Sequence, residues 1–336
     1  MSISEDDWAD LETPQATAGR STRRLHPESA NDLYIAVQHP GLRRMLVLTG
    51  DATAAEGVAR SLSRLSQTAG LELRLNPMSR QEYELQVLLT ADELREVFSP
   101  LVADIATASC NAPTAAAALV AAVERYERWQ HLLRTVGKDG LSAESRRGLF
   151  GELLVLCDCL LPSLPELEAV NAWTGPTGTN QDFQLPDAAI EAKTSTAKTT
   201  NRIRIASERQ LDGTGSPALV LSLASLDERR GGSGESLNAL VDRTRAHLTS
   251  VAARSRLDAL LIHAGYLPGH RHHYAEPRYT LRDLRFWSVR DGFPRLVESD
   301  LRPGVDECSY QLNTSGLDDY LLTADEVIDL IRGAHG

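Results

Sequence analysis

No stretch of this chain leaves the fold less freedom than residues 181–195, which read Gln-Asp-Phe-Gln-Leu-Pro-Asp-Ala-Ala-Ile-Glu-Ala-Lys-Thr-Ser. Over 188–194, Ile190 and Ala192 point one way while Glu191 and Lys193 share the other face, as the two-residue period of a strand dictates. Two opposite charges on one face of an otherwise apolar strand serve packing poorly. A partner strand at 181–185, joined through a two-residue turn at Pro186-Asp187, sets Asp182 opposite Glu191, with β-carbons about 4.5–5.5 Å apart. Carboxylates that close repel, and a pKa rises unless a cation lies between them. Oxygen ligands at this spacing suit Mg2+, which takes a few carboxylates together with waters and phosphate oxygens. Lys193, beside them, is placed to orient a water nucleophile or to stabilise charge developing on phosphorus.

The flanking pattern supplies a scaffold. Residues 1 to about 25 are polar and aperiodic and read as a flexible acidic tail. Strands are expected at 33–37, 45–48 and 83–89, with a helix near 58–65. Helices follow at 91–107 and 115–136, then a break at Gly137-Lys138-Asp139-Gly140. Ser142 is a candidate N-cap for a helix from Ala143 to Leu161, stopped by Pro162. In that helix Glu152 has Leu149, Val155 and Leu156 as neighbours, so it lies on or beside the apolar stripe and needs a partner. A shared metal, Lys193, Arg146 or Arg147 could supply one. Beyond a loop at 170–181 and the hairpin come a strand at 202–206, a short helix at 207–211 and a buried strand from Ala218. A helix at 236–254, a strand at 257–263, an arginine-rich strand at 279–289 and a helix at 323–332 complete the reading. Helix, strands, helix and strand in the middle of the chain describe an α/β core.

Charge first argues against a nucleic-acid partner, because the net value is −11. The excess sits at the ends, however. Residues 1–18 carry five acids and no base, and 297–336 carry nine acids against Arg302 and Arg332, so 19–296 is close to neutral. Within it, 268–296 holds six arginines against Glu276, Asp283 and Asp291. That excludes an indiscriminate DNA binder without excluding DNA, and the isolated chain should bind DNA weakly. The four cysteines form no Cys-x-x-Cys pair, and Cys157 and Cys159 read as core residues of a reducing compartment. His270, His272 and His273 cluster in a turn without a carboxylate or thiol at ligand spacing. Arg229-Arg-Gly-Gly-Ser-Gly234 lacks the Gly-Lys-Ser/Thr of a phosphate loop. No apolar run approaches the roughly 20 residues of a membrane span, and the N-terminus lacks a secretion signal, so a cytoplasmic protein is expected.

Asp182, Glu191-Ala-Lys193 and an upstream helical glutamate together resemble the PD-(D/E)XK nuclease superfamily. More narrowly, Gly148-Leu-Phe-Gly-Glu-Leu-Leu-Val-Leu156, Asp182-Phe183, Glu191-Ala-Lys-Thr-Ser195, Ser207-Glu-Arg-Gln-Leu211 and Phe293-Pro-Arg-Leu296 are similar to bacterial PD-(D/E)XK proteins of restriction-like phage-defence loci. The resemblance implies an α/β (α+β overall) fold with a restriction-endonuclease-like core at 111–225. An N-terminal α+β module at 26–110 and a C-terminal α/β extension at 226–336 would flank it. It implies Asp182 and Glu191 as metal ligands, Lys193 as the catalytic lysine, Glu152 as an auxiliary ligand and Gln210 as a polar group near DNA. Mg2+, with Mn2+ as alternative, is the implied cofactor, and Arg202 and Arg204 are candidates for DNA phosphates. DNA would be the partner, with an ATPase or helicase, a methyltransferase, or a second copy of the chain as further ones. The literal Pro186-Asp187 is a decoy, only four residues before Glu191, and Gln181 stands where the motif has proline. The expected activity is metal-dependent DNA cleavage. The alternative is an inactive nuclease-fold subunit used for DNA binding or assembly.

Overall fold

Ser4 opens the first helix of the computed structural model, which describes residues 3–13, 18–62, 70–79, 81–136, 140–198, 202–215, 218–305 and 307–333. The chain divides into two units, Met1–Gly137 with Leu267–Gly269, and Lys138–Tyr266 with His270–Gly336. In the first, the expected flexible tail is instead a helix and a strand, α1 (Glu5–Glu12) and β1 (Gly19–Leu25). A capping box between Ser4 and Asp7 starts α1. Trp8 and Leu11, three residues apart, are its buried face, and Trp8 Nε1 donates to Ser99 Oγ at 2.9 Å. Four of the five acids that made this region look like a solvated tail are paired. Glu5 and Glu12 bind the buried Arg44, and Asp7 and Asp10 bind Arg23.

The unit continues with β2 (Leu33–His39), β3 (Arg43–Asp51), α2 (Ala52–Leu62), β4 (Leu71–Pro77), β5 (Glu82–Leu89), α3 (Arg95–Cys110) and α4 (Ala115–Val136). An antiparallel sheet in the order β1-β2-β3-β5-β4 carries the helices. The bounds of α4 are those expected from its amphipathic pattern, but it belongs with this first unit. β4 went unread although Leu71, Leu73 and Leu75 alternate with Glu72, Arg74 and Asn76 at the two-residue period of a strand. The expected helix end at 63–65 and most of the break at 137–140 lie outside the described residues.

The second unit holds the hairpin. Its elements are α5 (Ala143–Val155), α6 (Glu166–Ala172), β6 (Phe183–Gln184), β7 (Ala188–Ser195), β8 (Arg202–Ile205), β9 (Ala218–Arg229), β10 (Glu235–Ser236), α7 (Leu237–Ala246), α8 (Val251–His263), β11 (Arg278–Ser288), β12 (Tyr310–Asn313), β13 (Leu321–Leu322) and α9 (Ala324–Arg332). The main sheet runs β10-β11-β9-β7-β6, with β13 on β11. β7 and β9 are parallel and the other pairs antiparallel. β8 pairs with β12 in a separate two-stranded sheet. The result is mixed α/β, as expected.

Alternation assigns the two faces of the sheet. Ile190, Val220 and Phe286 join a core with Leu149, Leu153, Leu240 and Leu257. Ala189, Leu219, Leu221, Leu223 and Trp287 join Ile203, Ile205 and Leu312. Four local readings need correction. Residues 257–263 are not a strand but the end of α8, whose N-cap is Ser250. A short apolar run fits either state, and here Leu257, Leu260 and Leu261 recur at helical spacing. The helix expected over 236–254 accordingly ends at Ala246. Ser207–Leu211 is a turn, and the loop expected at 170–181 includes the end of α6 and a single 3₁₀ turn at Gly175–Thr177. Among the described residues no helix is long and apolar enough to cross a membrane.

Candidate active site

The hairpin has the register that its turn predicts. Phe183 pairs with Ile190 and Gln184 with Ala189, and Leu185 N donates to Ala188 O at 2.8 Å across Pro186-Asp187. Continuing that register sets Asp182 opposite Glu191. The backbone ladder stops at Phe183, and the Asp182 side chain carries on from there, its Oδ2 accepting from Ala192 N at 2.7 Å. Glu191 is 1% exposed. Its Oε1 lies 2.7 Å from Lys193 Nζ, its ion-pair partner. Lys193 Nζ also donates to Gln210 Oε1, at 3.0 Å.

Helix α5 brings the third carboxylate. The Ser142 cap forms as expected, its Oγ accepting from Ser145 N. A Cβ on Gly151 would lie 2.3 Å from Thr194 Cγ2, so α5 can meet β7 this closely only with glycine there. The next residue is Glu152. The two arginines a turn earlier are engaged elsewhere: Arg147 pairs with Glu228, and Arg146 donates to the carbonyls of His273 and Glu276. The partner of Glu152 is Trp173, whose Nε1 donates to Oε2 at 2.8 Å. Sequence reading missed it, because the contact spans 21 residues and depends on how a loop folds back.

The turn at 207–211 positions Gln210. Its Oε1 accepts from Ala206 N at 2.8 Å as well as from Lys193. Gln181, buried where the motif has proline, donates from Nε2 to Arg209 O at 3.0 Å and Asp212 O at 3.2 Å. The departure from the motif thus staples the Gln210 turn to the hairpin. Arg202 and Arg204 are exposed on β8, with Ile203 and Ile205 buried between them, outside the main sheet.

Burial raises the pKa of all three carboxylates, and neighbouring carboxylates add to it for Glu152 and Glu191. Burial pushes Glu152 well above the usual range, and the charges of Asp182 and Glu191 add to it, against the Trp173 hydrogen bond. Burial also raises Asp182, opposed by its bond from Ala192 and by Lys193. Glu191 rises to about 8, through burial first and then the charge of Asp182. Glu152 and Asp182 keep some exposure while Glu191 is closed off, so the cluster opens to solvent on the side of the first two. Three carboxylates meet one ammonium, and full ionisation leaves an excess of negative charge.

That excess of negative charge fits a hard divalent cation. Among the described residues no three His, Cys, Asp or Glu side chains form a group that could hold a metal ion. Fewer protein ligands suit Mg2+, which keeps waters and takes phosphate oxygens. His270, His272 and His273 lie on a 3₁₀ segment with rings 3.9–5.9 Å apart, and they form no such group either.

No curated protein and no solved structure matches the chain. A family model does match, over residues 4–315, and so takes in the hairpin, Glu152 and the Gln210 turn together. The chain belongs to that family, DUF4420, which is described as "Putative PD-(D/E)XK family member".

Proposed function

We propose that this chain is a divalent-metal-dependent DNA endonuclease, the cleaving component of a bacterial restriction-like or phage-defence system. The observation that carries the reading is Glu191. It is a buried carboxylate, 1% exposed, that lies opposite Asp182 on the hairpin and has the Lys193 ammonium 2.7 Å away, and burial and the Asp182 charge together outweigh that ion pair. Asp182 and Glu191 would hold Mg2+ or Mn2+, with Glu152 as auxiliary. A cation bound there supplies Lewis-acid polarisation of the scissile phosphate and a more acidic water. Lys193 offers an ammonium donor to the attacking water or to a phosphoryl oxygen, and Gln210 holds that ammonium in place. Arg202 and Arg204, exposed on β8, would take flanking phosphates. DNA is the proposed partner. Tight binding would draw on the metal, a second copy of the chain, or an ATPase, helicase or methyltransferase.

The test is supercoiled or linear DNA with Mg2+ or Mn2+ against chelator. Cleavage that needs the cation and fails in Lys193→Ala supports the reading. Equal cutting by Lys193→Ala, or none by wild type with its partners, overturns it. One observation favours a second reading, an inactive nuclease fold used for DNA binding or assembly: Lys193 Nζ already sits against Glu191 where a cation would compete. Calorimetry with Mn2+ separates the two. An active site binds Mn2+ and loses it on Asp182→Ala, whereas an inactive one binds none.

A further inference from the structure

Three consecutive residues ahead of the hairpin each touch a carboxylate-bearing residue. Trp173 is fully buried, and its indole N–H, which can only donate, goes to Glu152 Oε2 at 2.8 Å. An isolated antiparallel bridge from Trp173 to Phe183 ties the same residue to β6. Thr174 and Gly175 each donate a backbone N–H to Asp182 O, both at 2.9 Å. Gly175 also presses on that residue, since a Cβ there would lie 2.8 Å from Asp182 Oδ1 and 3.1 Å from its Cα. Its backbone does not call for glycine, because its φ lies outside the left-handed region. The close approach to Asp182 is what excludes a side chain.

Glu152 comes from a helix and Asp182 from a hairpin, and the Gly151 contact that seats α5 against β7 touches neither carboxylate. Trp173–Gly175 contacts both. We propose that this segment is a positioning clamp that sets Glu152 and Asp182 relative to each other for a divalent cation and the phosphate it holds. The proposal rests on the nuclease reading. Partners that orient metal-binding carboxylates through hydrogen bonds matter about 10–100-fold in metal affinity or activity when lost. Trp173→Phe removes the N–H and keeps most of the ring. Gly175→Ala adds one methyl group against Asp182 with the backbone unstrained.

The experiment is calorimetric titration of the full chain with Mn2+, comparing wild type, Trp173→Phe, Gly175→Ala and Asp182→Ala. Far-ultraviolet circular dichroism serves as the folding control, and DNA cleavage is measured against Mn2+ concentration. Both clamp variants should keep the wild-type spectrum and bind Mn2+ about 10–100-fold more weakly. Their cleavage should half-saturate at correspondingly higher Mn2+ and recover at high Mn2+, which a general loss of structure would not do. Should the Phe variant fail to fold, Gly175→Ala carries the test alone. Wild-type Mn2+ affinity in the folded clamp variants, with Asp182→Ala abolishing binding, overturns the clamp and leaves the nuclease reading intact. A wild-type chain that binds no Mn2+ overturns both.

Discussion

Each unit has a strand in which a buried glutamate is followed, two residues on, by a polar side chain on the same face. The first is Glu84-Leu85-Gln86 on β5, the second Glu191-Ala192-Lys193 on β7. Glu84 is 5% exposed and Glu191 1%, so burial hardly separates them. Their partners do. Glu84 takes both arms of the Arg20 guanidinium, at 2.7 and 2.8 Å, and a third hydrogen bond from Gln86. The Arg20 bonds outweigh burial and hold Glu84 below the usual carboxylate range. Glu191 has the single Lys193 ammonium 2.7 Å from its Oε1, and burial and then the charge of Asp182 outweigh it and push the group to about 8. A carboxylate that the fold uses for itself is met by donors from its own sheet. One whose single ion pair does not outweigh its burial, as Lys193 does not for Glu191, still favours a further positive charge. The triplet on paper does not distinguish these cases, and the neighbours do.

The hardest way to break this comparison is catalytic. Lys193→Ala should lower cation-dependent DNA cleavage by about 10²–10⁴-fold, the usual worth of a positioned proton-transfer or charge-stabilising group. Gln86→Ala, at the matching place on β5, should leave the cleavage rate unchanged. A comparable loss from both variants would mean that the two triplets do the same structural work.

The next effect concerns stability, and its sign should differ between the units. Glu84→Gln strips Arg20 of a charged acceptor and should cost about 1–3 kcal/mol, read from the denaturant midpoint at pH 7 in chelator. Glu191, pushed up to about 8, is mostly protonated at pH 7, so Glu191→Gln replaces it with a neutral group of the same size and should be neutral or stabilising, by up to about 2 kcal/mol. Destabilisation by Glu191→Gln as large as that by Glu84→Gln would show Glu191 to be a structural residue.

How far the sequence carried this contrast depends on the range of each contact. The hairpin register, the shared face of Glu191 and Lys193, the Ser142 cap and α4 follow from alternation, helical spacing and a two-residue turn, all of which act over a few residues. The site's further support does not. Trp173 reaches Glu152, Gln181 staples the Gln210 turn and Gly175 bears on Asp182 through loop conformations that no periodicity announces. Gly151 could have been suspected, since a glycine inside a helix costs stability unless something must approach closely. α1 was hidden by its own salt bridges: four of the five acids that suggested a solvated tail are the partners of Arg44 and Arg23. The 257–263 run shows the opposite limit, where local pattern existed but suited helix and strand alike.

The smallest expected effect is the pH dependence of those two stability differences, and it tests the comparison most directly. Glu84 has a lowered pKa in the fold. Its contribution is therefore present above the unfolded carboxylate value and lost as pH falls through the depressed folded value. Glu191 is raised to about 8. Its contribution is full below the unfolded value of 4.5 and is lost as pH rises through about 8. In chelator, the gap between wild type and Glu84→Gln should therefore close towards pH 3, while the gap between wild type and Glu191→Gln should open between pH 5 and 9. Asp182 and Glu152 share the proton load, so Glu191→Gln should relieve them as well and spread the transition over several pH units rather than sharpen it. Denaturant midpoints at half-unit pH steps, changing by the equivalent of about 1 kcal/mol across each window, would show the two trends running in opposite directions. Parallel trends would mean that Glu191, like Glu84, is compensated within the chain, and the case for an external cation would lose its main support.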